Sequence, residues 1–238
     1  MSRSAACKLA TVAALEREVA SLIRNCSRVE RDYEGRRFVF FEQGETVVIC
    51  GGIGMEAARR AAEAVIALYH PALLQSVGFA GALHTGLRVG DIFSPAVVVD
   101  ARDGSRVALE SGNGVLITFM TVASANQKAN LAQAYNAQAV DMEAAAVAAA
   151  ARAHATPFAA TKVISDGLDF EMAETALFID SQGRFRTAAF AAFVVLRPWL
   201  WWRVSILARN SNLAARVLAE HLKTFNPHLS DVIEARTT

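Results

Sequence analysis

Short apolar segments alternate along the chain with segments in which apolar residues recur at helical spacing. The apolar runs, each of a length typical of a buried strand, are residues 9–15, 73–77, 92–99, 115–122 and 158–164. Helical spacing or composition marks residues 16–23, 55–69, about 124–135 and 144–155. The alternation predicts an α/β fold: a three-layer α/β/α sandwich with a central, mostly parallel twisted (mixed) sheet.

Several boundaries follow from residues that start or end elements. Pro157 ends the alanine-rich helix, because the residue before a proline is pushed out of helical geometry. A Gln-Gly pair separates the apolar residues 38–41 from 46–50, which predicts a hairpin. Ser124 or Asn126 can cap the helix that ends near residue 135.

The last part of the chain, residues 185–238, begins with a segment rich in Phe and Trp. Within residues 185–207 the apolar stretch is too short to span a bilayer, because three arginines and Pro198 interrupt it. Two interpretations stay open. The segment is either a core helix or subunit interface, or a surface that meets lipid, since Trp and Arg together suit a headgroup boundary. No linker or repeat is visible, so we expect one domain over 1–238 with 185–238 as its helical extension.

Charge and cysteine content argue against several kinds of partner and site. The net charge is +1 over 238 residues, so nothing predicts a nucleic-acid partner. Cys7, Cys26 and Cys50 are widely spaced and form no C-x-x-C pair, which argues for a reducing compartment and against zinc or a disulfide framework. No signal peptide is predicted, because Glu16 and Glu18 interrupt the N-terminal apolar run. We therefore expect a cytoplasmic protein without a metal or cofactor.

Two acidic clusters flank the alanine-rich helix and the strand that follows it. Asp141 and Glu143 precede the helix, and Ser165-Asp166 ends the strand. Ligands of open α/β sheets bind at the carboxyl ends of strands, which makes these acids candidates for binding or catalysis. Acids also complement a helix dipole, and aspartates are common in turns. From these residues alone, the functional and structural interpretations both stay open.

The sequence V-D-M-E-A-A-A, followed about twenty residues later by K-V-I-S-D, resembles the signature of the nucleoside phosphorylase/nucleosidase superfamily. That superfamily includes methylthioadenosine/S-adenosylhomocysteine nucleosidases and purine nucleoside and uridine phosphorylases. G-G-I-G-M, V-G-F-A-G-A-L and L-R-V-G-D-I resemble its G-I-G-K, T-G-S-A-G-G-L and L-K-V-G-D-I blocks, in matching order. One glycine-rich block alone is weak evidence for this resemblance. Several blocks in matching order over residues 9–167 are far more specific evidence. The resemblance implies cleavage of an N-glycosidic bond.

The resemblance also implies separate roles for three acids. A-L-E-R-E-V resembles A-M-E-E-E-V, which makes Glu18 the carboxylate that activates the attacking water. Glu143 matches the acid that accepts hydrogen bonds from ribose hydroxyls, and Met142 matches the apolar floor under the sugar. Asp166 matches the acid that contacts purine N7 and protonates the leaving base, which requires a carboxyl group with a raised pKa. The alternatives are an exposed helix acid for Glu18, a core residue for Met142 and a turn residue for Asp166.

Smaller contacts complete the predicted site. The backbone at Phe79, Ala80 and Gly81 can approach a flat ligand, although the same segment also permits close packing. The predicted catalytic residues are Glu18 and Asp166, and the predicted substrate-binding residues are Phe79, Ala80, Gly81, Met142, Glu143 and Ser165.

Departures from the family pattern favour hydrolysis over phosphorolysis. Phosphorylases of the superfamily bind phosphate with arginines, one of which stands where this chain has Ser76; its loss removes bidentate recognition of an oxyanion. Phe79 replaces the usual serine of the turn, and Lys162 stands where the family often has arginine. The alternatives are a phosphate-dependent nucleoside phosphorylase and a non-catalytic homologue that binds a nucleoside or lipid.

The substrate expectation rests on a short loop and on the tail. The span from Asp91 to Asp141 is shorter than in classical nucleosidases, and the segment over the base is reduced to residues 121–124, which predicts a more open pocket. The short loop, the R-P-W tail and L-A-R-N-S-N resemble the hopanoid-associated branch, which implies a lipid-linked adenosine such as adenosylhopane. We expect adenine release from a 5′-substituted adenosine, peripheral lipid contact through residues 185–207, and a homo-oligomer.

Overall fold

The computed structural model describes residues 7–170 and 172–234, except for the side chains of residues 173 and 225–234. The ends of the predicted domain at 1–6 and 235–238 lie outside the described residues, as does part of the segment examined for a signal peptide.

The described residues form one mixed sheet with helices on both faces. The strands are β1 (Leu9–Ala13), β2 (Ser27–Tyr33), β3 (Arg36–Gln43), β4 (Thr46–Cys50), β5 (Leu73–Ala82), β6 (Ile92–Phe93), β7 (Val97–Asp100), β8 (Arg106–Ala108), β9 (Val115–Thr118), β10 (Ala139–Asp141) and β11 (Phe158–Asp166). The helices are α1 (Ala20–Ile23), α2 (Met55–Tyr69), α3 (Ala125–Tyr135), α4 (Ala144–Ala153), α5 (Thr187–Val195) and α6 (Trp201–Glu234).

Strand β5 lies at the centre of the sheet. The order is β2-β3-β4-β1-β5-β10-β9-β7-β8, and β11 pairs with β5 and β6. Strands β1 and β11 run parallel to β5, whereas β10 pairs antiparallel with its last residues. The carboxyl ends of β1 and β11 therefore meet the second half of β5 and the end of β10. This edge is where ligands of α/β sheets bind.

The two helical layers follow from the alternation of buried side chains. Helices α2 and α4 pack on each other over the core face that includes Leu74 and Leu116. Helix α6 covers the opposite face through Ala214, Leu218 and Leu222, and α3 covers the neighbouring strands around Ile117. Successive residues of a strand point to opposite faces, so Leu116 and Ile117 belong to different layers. The predicted three-layer α/β/α sandwich with a mixed central sheet is confirmed.

Most predicted helices agree with the observed ones, while several strand boundaries differ. The helix predicted at 55–69 is α2, and the alanine-rich helix ends two residues early, at Ala153. The strand predicted at 92–99 is divided into β6 and β7, because Pro95 lies between them and a proline cannot donate a ladder hydrogen bond. Two strands were not predicted from the sequence: β2, whose side chains are mostly exposed, and β10, which has three residues.

The aromatic tail does not form the core. Helix α5 has no buried residue within its described range, and a 3-10 turn at Pro198–Leu200 separates it from α6. Trp199, Trp201 and Trp202 are 71%, 54% and 75% exposed. The core-helix interpretation is therefore wrong for these tryptophans, because their side chains lie on the surface.

A membrane-spanning helix needs about 20 predominantly apolar residues, which sets the measure for the described helices. No single helix among them is both long and apolar enough to cross one. The pair Thr187–Val195 and Pro198–Thr224, bent by 112°, meets the length and composition criteria only when taken together.

Candidate active site

A pocket of about 450 Å³ lies at the carboxyl ends of β1 and β11, beside the second half of β5. Its lining includes all eight residues predicted to act in the site: Glu18, Phe79, Ala80, Gly81, Met142, Glu143, Ser165 and Asp166. These residues come from four separate parts of the chain, and the pairing of β5 with β1, β10 and β11 brings them together. Their individual roles stay predictions.

The Glu18 carboxylate lies in a 3-10 turn directly after β1 and is buried. Its Oε2 accepts hydrogen bonds from the backbone N–H groups of Ala14 and Leu15, at 3.2 and 3.3 Å. Gly78 of β5 allows the close approach, because a Cβ there would lie 2.9 Å from Oε2. Burial raises the pKa of Glu18, and the positive charge of Lys162 opposes this shift. A carboxylate with raised proton affinity is suited to accept a proton from water.

Glu143 directly precedes α4 and reaches across to the start of α2. Its Oε1 accepts a hydrogen bond of 2.8 Å from the backbone N–H of Gly54, and its Oε2 accepts one of 3.2 Å from Met142. Burial and then the negative charge of Asp141 raise the pKa of Glu143 to about 8. The side chain is thus fixed in place before a ligand binds, and its charge changes near neutral pH.

Lys162 is a buried cation behind these two acids. Its side chain is 1% exposed, its Nζ lies 2.9 Å from Oδ2 of Asp141, and it donates a hydrogen bond of 3.2 Å to Oγ of Ser76. Burial acts to lower the pKa of Lys162, but the carboxylates of Asp141, Glu143 and Glu18 outweigh burial and raise it. Lys162 therefore stays positively charged and partly balances the acids of the site.

Both carboxylate oxygens of Asp141 have partners within the protein. Besides the ion pair with Lys162, it accepts hydrogen bonds from the Thr118 hydroxyl at 2.6 Å and from the Ala144 N–H at 2.8 Å. The second bond satisfies a donor at the start of α4, as an N-terminal cap does. Asp141 therefore stabilises the end of β10 and the start of α4, and positions Glu143 two residues later.

Asp166, the predicted donor to the base, forms an ion pair that was not predicted from the sequence. Its Oδ2 lies 2.5 Å from Nζ of Lys128, and its Oδ1 accepts a hydrogen bond of 2.7 Å from the Ser165 hydroxyl. The side chain of Asp166 is 22% exposed, whereas that of Lys128 is 3% exposed. Both side chains line the pocket, and Asp166 is the more exposed of the two.

Much of the remaining wall of the pocket is apolar, and most of it comes from residues 185–215, which also contribute Thr187, Ser211 and Asn212. The apolar part includes Ile179, Phe185, Phe190, Val204, Leu207 and Ala208. Val204 lies one helical turn after Trp201, so the wall of the pocket and the exposed tryptophan surface are neighbours on α6. The pocket therefore has acids at one end and an apolar wall that continues toward the surface.

Two parts of the site were not predicted from the sequence: Lys128 and the backbone N–H of Gly54. A signal for Lys128 exists: it is spaced three residues from Leu131, and these two are the buried residues of α3. A lysine on the apolar face of a helix needs a partner, because an unpaired buried charge is costly. Among the described residues, no group of three or more His, Cys, Asp and Glu side chains is placed to hold a metal ion.

A family model described as the phosphorylase superfamily matches residues 8–112 and 113–197 of the chain. No curated protein matches the chain.

Several solved structures share the fold. A 5′-methylthioadenosine/S-adenosylhomocysteine nucleosidase from Colwellia psychrerythraea, in complex with adenine, is 24% identical with a TM-score of 0.61, over 75% of this chain and 93% of that chain. The futalosine hydrolase of Helicobacter pylori is 18% identical with a TM-score of 0.65, over 92% and 98%. An S-adenosylhomocysteine nucleosidase from Streptococcus pyogenes is 18% identical with a TM-score of 0.63, over 94% and 99%.

Proposed function

The chain belongs to the phosphorylase superfamily, and from this premise we propose that it is an N-ribosyl hydrolase that releases adenine from a 5′-substituted adenosine. The observation that carries the proposal is the convergence of Glu18, Glu143 and Asp166 on one pocket. Solved structures of similar fold include nucleosidases and a futalosine hydrolase, one of them with adenine bound.

Each acid has a step that its surroundings suit. Cleavage of the N-glycosidic bond builds positive charge on the sugar and negative charge on the base. Glu18, with raised proton affinity, orients water at C1′ and takes its proton. Glu143 accepts hydrogen bonds from the ribose hydroxyls and holds the sugar in a reactive geometry. Asp166, partly exposed to the pocket, faces the base and directs a proton to N7.

Hydrolysis is favoured over phosphorolysis by the charges around the pocket. Among the described residues that line it, the basic ones are Arg17 and Lys128, and Lys128 is paired with Asp166. Ser76, at the position where phosphorylases carry an arginine, is buried and bonded to Lys162. A phosphate ion beside the buried Glu18 carboxylate would meet repulsion, and no arginine stands at the Ser76 position to offset it.

The test is a panel of adenosine, methylthioadenosine, S-adenosylhomocysteine and a lipid-linked adenosine, each incubated with and without phosphate. We expect adenine and a free reducing sugar, at a rate that phosphate does not change. Formation of ribose 1-phosphate would instead establish a phosphorylase. Absence of base release from every nucleoside would favour the non-catalytic alternative.

Two variants separate catalysis from binding in the same assay. Asp166→Asn should lower kcat by about 100-fold or more while it keeps much of the affinity for the nucleoside, since it removes a proton path and leaves the shape of the pocket. Asp103→Asn, on an exposed turn, is the matched control and should leave kcat unchanged. Equal turnover by Asp166→Asn and the wild type would contradict the proposed role.

We further propose that the 5′ substituent is a long apolar group, as in a lipid-linked adenosine such as adenosylhopane. The apolar wall formed by Phe185, Phe190, Val204 and Leu207 supports this proposal. The exposed tryptophans beside that wall support peripheral contact with a lipid surface. In the panel, the lipid-linked nucleoside should have the highest kcat/KM; a preference for methylthioadenosine would contradict the lipid proposal alone.

A further inference from the structure

Lys128 is buried against the acid that faces the base. Its Nζ donates hydrogen bonds to Oδ2 of Asp166, to the backbone oxygen of Gly167 at 2.7 Å and to that of Phe170 at 3.3 Å. An ammonium group has three N–H donors, so these three acceptors use all of them. Lys128 therefore cannot bind a nucleoside directly without the loss of a protein contact, and it acts on the site through Asp166.

The fold brings Lys128 to this position by two local features. The short segment at residues 121–124 ends in Ser124, which accepts a hydrogen bond from the N–H of Gln127 and so starts α3 close to the pocket. Gly81 of β5 then leaves room for the pair, because a Cβ there would lie 2.8 Å from Oδ2 of Asp166 and 3.3 Å from Cε of Lys128. The first turn of α3 thus lies beside Asp166.

Because its partner is the ammonium group of Lys128, Asp166 has a proton donor in direct contact. A group that donates to N7 must itself hold a proton, and the Lys128 ammonium group brings N–H protons into contact with the Asp166 carboxylate. The Asp166 carboxylate accepts one hydrogen bond from the Lys128 ammonium group and one from the Ser165 hydroxyl, and the contact with Lys128 is the shorter. A proton for the base is thus available on Lys128, in direct contact with the Asp166 carboxylate.

We propose that Lys128 is a positioning residue that also stores the proton for the leaving base, and that Asp166 transfers it. This inference rests on the proposed adenine-releasing function. As the C1′–N9 bond breaks, its electron pair stays on the base. Nζ of Lys128 gives a proton to the Asp166 carboxylate, which gives a proton to N7 and ends as a carboxylate again.

The remaining atoms balance through water. The oxygen of water bonds to C1′, and one of its protons goes to Glu18. Glu18 then releases this proton to solvent, and the neutral amine of Lys128 takes one back. No oxidant, metal or further reactant is needed. Glu18, Lys128 and Asp166 all return to their starting protonation states.

The test compares Lys128→Met and Lys128→Arg on two substrates. One is a 5′-substituted adenosine cleaved by the wild type, and the other is its N7-methyladenine counterpart, whose base leaves without a proton on N7. Arginine keeps the positive charge beside Asp166 but does not release a proton. Asn130→Met, on the exposed side of α3, is the matched control, and thermal melting checks the fold of each variant.

We expect both Lys128 variants to lower kcat for the adenosine by about 100-fold, with KM changed by less than about threefold. For the N7-methylated substrate, kcat should stay within about threefold of the wild type. Equal losses on the two substrates would show a merely structural role and overturn the inference. Full recovery of kcat by Lys128→Arg would also overturn it, because charge alone would then suffice.

Failure of the proposed function gives a different result. If the wild type cleaves neither nucleoside, the enzyme proposal is contradicted and this inference with it. If the wild type is active and Lys128→Met keeps full kcat on the adenosine, only the role of Lys128 is contradicted.

Discussion

Three carboxylates and one ammonium group lie close together at the inner end of the pocket: Glu18, Asp141, Glu143 and Lys162. Asp141 and Lys162 form a buried ion pair. The charge of Lys162 therefore balances the negative charges of Glu18 and Glu143 only in part. The raised pKa values of Glu18 and Glu143 are the physical consequence, because protonation removes charge that burial disfavours. The roles proposed for Glu18 and Glu143 need both acids to be ionised, so on this proposal a rise in pH lowers stability and raises activity.

The first prediction concerns stability. Because the pKa of Glu143 rises from 4.5 to about 8 in the folded chain, the folded state binds more protons than the unfolded state between these values. The contribution of Glu143 to stability is therefore full below pH 4.5 and is lost as pH rises to about 8. Glu143→Gln should remove roughly 2–4 kcal/mol of this pH dependence.

Urea unfolding at several pH values between 5 and 8 measures this effect. The variant should show a smaller decrease of the free energy of unfolding over that interval, although Glu18 still contributes a decrease of the same sign. The kcat/KM of the wild type should rise over the same interval, as the two acids ionise. Parallel pH curves for the wild type and Glu143→Gln would contradict the assignment.

A second prediction isolates the buried ion pair. Lys162→Met leaves Asp141 charged in a site where its side chain is 0% exposed, which should cost about 3–5 kcal/mol of unfolding free energy. Asp141→Asn alone removes the partner of a buried cation and should also destabilise strongly. The double variant should be more stable than the sum of the single effects predicts.

A double-mutant cycle from urea unfolding gives the coupling energy of the pair. A value near zero would mean that Lys162 is held by Ser76 and the other acids, and not by Asp141. Thr161→Val, one residue away on β11 and also buried, is a control that removes a hydrogen bond with Gln75 but no charge.

At the residue scale, ordered motifs predicted which side chains meet, but not all of their partners. Glu18, Glu143 and Asp166 stand in recognisable blocks, and the structure places them in one pocket. The contact between Lys128 and Asp166 joins residues 38 positions apart in the sequence. No local sequence pattern can specify a contact between residues so far apart. Its only local trace is a lysine on the buried side of α3.

Helix α3 connects the fold to the chemistry, and its start is an element-scale target. Ser124 and Gln127 form a capping box, in which each side chain bonds to the backbone of the other residue. Ser124→Ala should cost about 1 kcal/mol of stability. Because the first turn carries Lys128, we also expect kcat to fall more than KM rises.

Thermal melting together with kinetics tests this effect, with Ser105→Ala on an exposed turn as the control. A lower melting temperature with unchanged kcat would show that Lys128 is held by its three acceptors alone, independently of the cap. Restoration by Ser124→Asp, which also caps helices well, would support the capping explanation.

Element boundaries could be predicted where burial and sequence pattern agree. Helix α2 matches its prediction at both ends, because its apolar face is continuous and Gly54 and His70 adopt positive φ values at its two ends. Strand β2 was missed since its side chains are largely exposed charges, and its pairing with β3 holds it in the sheet. Three-residue strands such as β10 depend on neighbours distant in sequence, here β5 and β9.

At the scale of the whole molecule, the pocket and the exposed tryptophan surface are neighbours, because the first turns of α6 contribute to both. Helix α6 packs on the sheet through Leu218 and Leu222, while its first turns line the pocket and carry Trp201 and Trp202 outward. Trp199 in the preceding turn adds to the same exposed surface. This order of acids, apolar wall and exposed aromatic groups suits a substrate with a polar nucleoside and an apolar tail. The nucleoside would meet the acids, and the tail would follow the apolar wall toward the exposed aromatic groups.

The last prediction follows from that arrangement. The wild type should float with anionic phospholipid vesicles in a density gradient, because exposed tryptophans insert at headgroup level and Arg203 beside them favours negative charge. Replacement of Trp199, Trp201 and Trp202 by serine should reduce vesicle binding by about tenfold or more. Met120→Ser, at an exposed methionine on another part of the chain, should leave binding unchanged.

Kinetics on the same proteins connects the surface to the site. The tryptophan variant should keep kcat for a water-soluble adenosine, because Glu18, Glu143 and Asp166 are untouched, and should lose activity on vesicle-bound substrate. Sedimentation of the wild type and the variant distinguishes the alternative in which a second subunit covers the tryptophans. If the variant changes from dimer to monomer and vesicle binding is absent in the wild type, the aromatic surface is a subunit interface, and the lipid proposal is wrong.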